Sequence, residues 1–221
     1  MRTYVYVDGF NFYYGCLRGT PYKWVNIAEL CRRLLKPENE LVQIRYFTAR
    51  VTARPGDRDQ GQPVRQQVYF RALRTLPNLS IHLGHFLSHE VTMPLATAPG
   101  ERRQPGERRQ YAKVIKTEEK GSDVNLATHL MADAYESKFD LAVLITNDSD
   151  LLEPVMLVRN RLGRRVGLLN PQQHPSAVLA KAATFIKQIR PGVLRDSQFP
   201  LAMTDAKGPF HCPEAWRVVE D

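Results

Sequence analysis

Short apolar runs alternate with amphipathic stretches along this chain, and most boundaries carry glycine, proline, asparagine or aspartate. Residues 3–7 (TYVYV) predict a buried strand, and Asp8-Gly9 turns the chain into a helix over residues 11–17. Asn26 is placed to cap IAELCRRLLK, in which Ile27, Leu30, Leu34 and Leu35 share one face while Arg32 and Arg33 point away. Residues 41–51 (LVQIRYFTARV) alternate as a strand does, and RPGDRDQGQP over 54–63 reads as a loop. A helical period follows over 64–76, then a strand over 79–87. A helix is expected from Ser122 to about Ser137, a buried strand over 141–145, a helix over 151–161, a strand over 165–169 and a helix over 176–185. Such alternation predicts an α/β protein with a mainly parallel sheet covered on both faces.

Carboxylates recur where these apolar elements end or begin. Asp8 follows the first strand, Asp148 and Asp150 follow the strand at 141–145, and Asp123 opens the helix after EEKGS. In open parallel sheets, ligands gather outside the carboxyl ends of the strands, where the strand order reverses. Asp8 and Asp148 with Asp150 fall on that edge, and Asp123 can point into the same crevice from a helix N-terminus. Each acid alone has a structural explanation as a cap or turn residue. Together they form a candidate site for a hard divalent cation. Asp133, ten residues beyond Asp123, lies about 15 Å further along its helix and should not share that ion.

Charge changes the meaning of this acidic pocket. Lys and Arg number 31 against 23 Asp and Glu, a formal net charge of +8 and a pI of about 9.5, so the acids sit inside a field that attracts polyanions. A cation between carboxylates and phosphate oxygens reverses the local repulsion, which makes metal-dependent chemistry on a phosphodiester the first hypothesis. With 221 residues, 43% of them hydrophobic, one α/β core can be filled. Cys16, Cys31 and Cys212 are odd in number and widely spaced, which suits buried apolar residues rather than a disulfide framework or a zinc site. The opening MRTYVYVDG lacks a signal-peptide order, and no apolar run approaches a membrane span. A cytoplasmic protein without a membrane partner is expected.

VYVDGFNFYYG, EEKGSDVNLATHLM and LAVLITNDSDLLEPV, in this order, resemble the NYN domain, a branch of the PIN-like ribonucleases, in its bacterial LabA-like (DUF88) group. The likeness covers about residues 2–190, so residues 1–190 are expected to form the NYN/PIN-like domain, with an insertion over 88–117 and a C-terminal extension over 191–221 packed on it. It implies a PIN-like three-layer α/β/α fold and metal-dependent ribonuclease activity, with endonucleolytic cleavage of RNA. It also implies Mg²⁺ or Mn²⁺ held by Asp8, Asp123, Asp148 and Asp150, with Asn11 positioning ligand or water. An RNA-binding or regulatory module without catalysis is the alternative. Some similar chains carry a hydroxysuccinoylpyridine monooxygenase description, which no GxGxxG or flavin signature supports here.

The insertion holds the near-repeat ERRQ-PG-ERRQ between two strand-like pieces, and predicts a basic β-hairpin with Arg102, Arg103, Arg108 and Arg109 at its tip. Arginines there would bind RNA phosphates without regard to sequence, and Tyr111 would stack a base. A solvated loop or the arm of a homodimer is the competing use. Lys120 is a further candidate phosphate contact or a solvated lysine, and Asn147 and Ser149 orient waters or satisfy their turn. The basic run RNRLGRR over 159–165 reads as a solvated face. His82 and His85 point to opposite faces of a strand, so joint metal ligation by them is not expected. Some of Phe10, Phe12, Tyr13 and Tyr14 should pack in the core, with one lining the pocket.

Overall fold

The computed structural model describes residues 1–53, 59–96 and 108–217. Among them, seven strands form one sheet: β1 (Arg2–Asp8), β2 (Glu40–Ala49), β3 (Leu79–Pro94), β4 (Tyr111–Lys120), β5 (Leu141–Ile145), β6 (Arg165–Asn170) and β7 (Phe185–Gln188). Their order is β4-β3-β2-β1-β5-β6-β7, parallel throughout except for the antiparallel β3–β4 ladder. The chain builds one half outward from β1 through β2 and β3, then returns to start the other half at β5. The strand order therefore reverses between β1 and β5, where the crevice of an open sheet opens.

Period-two alternation supplies both faces. Val5 and Val7 point into one apolar layer and Tyr6 into the other; Val143 and Ile145 oppose Ala142 and Leu144 in the same way. The first layer is covered by α1 (Gly9–Phe12), α2 (Ile27–Leu34) and α3 (Gln62–Arg74), and the second by α4 (Ser122–Tyr135), α5 (Leu152–Met156) and α6 (Ala177–Ala182). Asn26 caps α2 as expected, its side chain accepting from the Glu29 N–H. This is the three-layer α/β/α arrangement. Among the described residues no helix is long and apolar enough to cross a membrane.

Several boundaries differ from the sequence pattern. The helix expected over 11–17 begins at Gly9 and widens into a π-helical turn over Tyr13–Leu17. The segment 151–161 is divided into a 3₁₀ turn, α5 and a π turn. The helix expected over 176–185 stops at Ala182, and Phe185–Gln188 is an edge strand; a lone edge strand of four residues is too short for alternation to declare itself. The strand over 79–87 continues to Pro94 and pairs along its outer length with β4, which gives the predicted hairpin. The final segment is more regular than its composition suggests: α7 (Pro191–Arg195) precedes a small hairpin of β8 (Ala202–Asp205) and β9 (Gly208–His211). Phe199 and Phe210 there pack against Trp24, whose indole N–H donates to the Pro200 carbonyl.

One buried ion pair ties α4 to the sheet. Asp133 accepts both guanidinium N–H bonds of Arg45, at 2.7 and 2.9 Å, and the Tyr6 hydroxyl at 2.9 Å. Burial raises the Asp133 pKa, but the bonds from Arg45 and Tyr6 outweigh it and hold the carboxyl below its usual range. Its contribution to stability is therefore present at neutral pH and lost as pH falls through that lowered value. Asp133→Ala should cost about 3–5 kcal/mol at pH 7, because it strands the largely covered Arg45 guanidinium; urea unfolding at pH 7 measures the loss.

Candidate functional site

The carboxyl edge of the sheet collects acids from three separate elements. β1 ends on Asp8, and the chain turns at once into α1 because the Asp8 side chain accepts from the Asn11 N–H at 2.9 Å. Gly9 is required there: a Cβ would sit 2.7 Å from the Phe47 carbonyl oxygen and 2.9 Å from the Tyr46 ring. β5 ends one strand away across the switch point, and the Thr146 hydroxyl donates to the second Asp8 oxygen at 3.0 Å. Thr146 also accepts from the Asp148 N–H, so one hydroxyl sets the spacing of two acids.

Asp123 arrives by a different route. β3 runs past the sheet edge, and β4 returns antiparallel to it, so Lys120 ends opposite His85 at that same edge. Gly121, at φ 97°, then turns the chain into α4 in a conformation that only glycine adopts without strain. Asp123 in the first turn of α4 thus faces the crevice. One oxygen from each of Asp8, Asp123 and Asp148 lies within 4.8 Å of the others.

The other expected members stand apart from this triad. Asp150 is exposed and outside it, its N–H donating to Asp148, although its charge is felt at Asp123. Asn11 uses its side-chain oxygen to accept from the Asn147 N–H at 3.1 Å, which fastens the β5 loop to α1. Asn147 in turn bonds the His174 carbonyl and the Ser176 N–H. Lys120 lies 3.5 Å from Glu118 in an ion pair on the hairpin. Arg108, Arg109 and Tyr111 are exposed at its far end, where Tyr111 pairs with Pro94. That is roughly 30 Å from Lys120 at about 3.3 Å per strand residue. Arg102 and Arg103 lie outside the described residues.

Two neighbours escaped the sequence reading. Glu119 binds the Ser122 N–H and hydroxyl, at 3.1 and 2.7 Å, and adds negative charge beside Asp123. Its signal was present in EEKGS, an acid three residues before a helix start. Thr146, the polar residue closing LAVLIT, was also legible as an exception in an apolar run.

The electrostatics follow from this crowding. Burial, opposed by the Asn11 hydrogen bond and reinforced by the Asp123 charge, pushes Asp8 up to about 6. Burial and then the charge of Asp148 raise Asp123 as well. Among the described residues, no lysine or arginine makes an ion pair with the triad. An all-oxygen donor set with uncompensated negative charge fits Mg²⁺ or Mn²⁺.

A raised carboxyl contributes stability that is full below its unfolded pKa, near 3.8, and is lost as pH rises through about 6. Metal-free protein should therefore lose up to about 3 kcal/mol from this source between pH 4 and pH 8. Asp8→Asn should raise the melting temperature of metal-free protein at pH 8, with little difference at pH 4. Millimolar Mn²⁺ should stabilise the wild type at pH 8 and not the variant. Calorimetric scans with and without EDTA provide the comparison.

Comparison with known proteins extends these observations. A curated relative, 6-hydroxy-3-succinoylpyridine 3-monooxygenase HspA of Pseudomonas putida strain S16, is 34% identical across 98% of this chain and 75% of its own length. A crystal structure of a protein of unknown function, VPA0982 from Vibrio parahaemolyticus RIMD 2210633, superimposes with a TM-score of 0.52 at 19% identity, covering 86% of this chain and 93% of that one. That likeness concerns the fold. The NYN domain model matches residues 2–194, and the chain accordingly belongs to the NYN family of the PIN-like superfamily.

Proposed function

We propose that the protein is a metal-dependent ribonuclease that hydrolyses RNA phosphodiesters endonucleolytically. The convergence of Asp8, Asp123 and Asp148 oxygens within 4.8 Å carries this reading, and membership of a PIN-like nuclease family supports it. Asp8, Asp123 and Asp148 would hold Mg²⁺ or Mn²⁺, with Asp150 at the outer rim. The ion would supply charge neutralisation at the phosphodiester and activation of a water.

The chain's own residues keep that arrangement in place. Thr146 and the Asn11 N–H fix both oxygens of Asp8, so its carboxylate needs little reorganisation to accept a cation. The Asn11–Asn147 bond holds Asp148 within reach of Asp8. No side-chain nucleophile is needed. The exposed Arg108 and Arg109 would bind phosphates distant from the acids, Tyr111 would stack a base and Lys120 would meet the chain near the hairpin root. A substrate touching both ends of the ribbon must be a long one.

A second reading is favoured by the Pseudomonas relative, whose name specifies oxygenation of a hydroxypyridine carrying a succinoyl group. Oxygen consumption with 6-hydroxy-3-succinoylpyridine, in the presence of a two-electron reductant, tests it directly. Absence of turnover in that assay would count against it.

Single-stranded RNA should be cut in Mn²⁺, and EDTA should abolish the cut. Asp148→Asn should lower the single-turnover rate about 100-fold or more. RNA bound tightly but never cut, with Mg²⁺ or Mn²⁺ present, would sink catalysis and leave a binding module. Replacing Arg108 and Arg109 by alanine should weaken RNA binding alike for all sequences. It should reduce the slope of log affinity against log salt by about one for each arginine, measured by fluorescence anisotropy.

A further inference from the structure

A cleft of about 440 Å³ opens on the α1 side of Asp8, beside the acidic triad but distinct from it. Its aromatic walls include Phe10, Tyr13 and Tyr14 in the first helical turns, Tyr46 near the end of β2, Tyr69 on α3, and Trp216. The rings support one another. Tyr13 meets Tyr14 edge-on at 5.3 Å, Tyr46 meets Tyr69 at 6.4 Å, and Tyr69 meets Trp216 at 6.2 Å. Phe10 packs against Phe86 at the root of the hairpin at 5.8 Å. Aromatic walls of this kind accept a flat ring by stacking and edge contacts, and the volume falls in the range of small-molecule sites.

Among the described residues, the charged groups in the cleft are unbalanced. Arg65 and Asp59, both in its lining, pair with each other. Lys23, also in the lining, donates to the Thr20 backbone carbonyl and has no acidic partner among the described residues. Its ammonium is partly desolvated and lies within the field of Arg65, which together lower its pKa. Among the described residues, Arg65, Asp59 and Lys23 thus leave one net positive charge beside aromatic walls, and an anionic group placed there would relieve the repulsion between the two cations.

We infer that this cleft binds a free small aromatic carboxylate, its ring held among Phe10, Tyr13, Tyr14 and Trp216 and its carboxylate met by Lys23 and Arg65. Gly9 forms the boundary with the acidic triad, because its backbone lies against Tyr46 with no room for a side chain. The ligand therefore sits next to Asp8. The inference concerns binding and stands whichever reaction the neighbouring carboxylates serve.

Quenching of tryptophan fluorescence, checked by calorimetry, provides the test, with nicotinate, 4-hydroxybenzoate and phenylbutyrate as probes. At least one should bind with a Kd below about 10 mM, and nicotinamide or cyclohexanecarboxylate, which lack the charge or the flat ring, should bind about ten-fold more weakly. Lys23→Met should weaken the best probe about ten-fold or more. Tyr14→Ala, at an exposed position that the fold tolerates, should weaken it as well. Asp148→Asn should leave carboxylate binding intact even where it removes nuclease activity, which separates this inference from the proposed reaction. Failure of all three acids to bind, equal binding of nicotinamide, or indifference to Lys23→Met overturns it. Tighter binding of AMP or UMP than of any carboxylate also overturns it and assigns the cleft to a nucleotide of RNA.

Discussion

Three carboxylates can share a few ångströms of partly buried space only if something offsets their repulsion, and much of this structure is arranged around that requirement. Asp8 is the most constrained of them. It is nearly excluded from water, and its two oxygens are held by the Asn11 N–H and the Thr146 hydroxyl. Those bonds favour the charged form but do not overcome burial and neighbouring charge, which leave the pKa near 6. The same bonds couple α1 to the β5 loop, so the elements on either side of the switch point are fixed by the most buried carboxylate of the three.

The hairpin performs two structural tasks with one reversal of direction. By carrying β3 beyond the sheet and bringing β4 back antiparallel, it starts α4 at the carboxyl edge and so delivers Asp123 to Asp8 and Asp148. Its root also supplies Phe86 and Thr117 to the aromatic cleft. The outward extension carries Tyr111, the outer end of β4, roughly 30 Å from the hairpin root at about 3.3 Å per strand residue. The exposed Arg108 and Arg109, just before β4, and the acidic pocket therefore lie at opposite ends of the ribbon, whereas Lys120 stays at its root.

Asp123 and Asp133 show how position on one helix decides the fate of like residues. Both belong to α4, but Asp133 lies deep against the sheet, where Arg45 and Tyr6 complete its hydrogen bonds and lower its pKa. Asp123 lies at the open end among other acids, and its pKa is raised. The first acid is satisfied by the protein itself. The second carries charge that no lysine or arginine among the described residues pairs with.

The alternation of apolar runs was sufficient to read the α/β class, most strands and the strand edge on which Asp8 and Asp148 fall, because side-chain period and connection order restrict how such a chain can bury its apolar surface. The ten-residue separation of Asp123 from Asp133 likewise excluded the latter from the cluster through helix rise alone. The short edge strand β7 and the π turns were hidden, since four or five residues carry too little periodicity to identify an element. The aromatic cleft was hidden for another reason: Lys23, Tyr46, Tyr69 and Trp216 are distant in sequence and meet only after the sheet, α3 and the final segment have packed. Asp150 shows the same limit at short range. Its spacing from Asp148 allowed both acids to face one ion, but the turn after β5 directs one inward and leaves the other exposed. Local sequence thus determined which acids reach the edge of the sheet. Only the tertiary structure decided which of their oxygens converge, because that depends on how separate backbone segments are oriented by packing and hydrogen bonding.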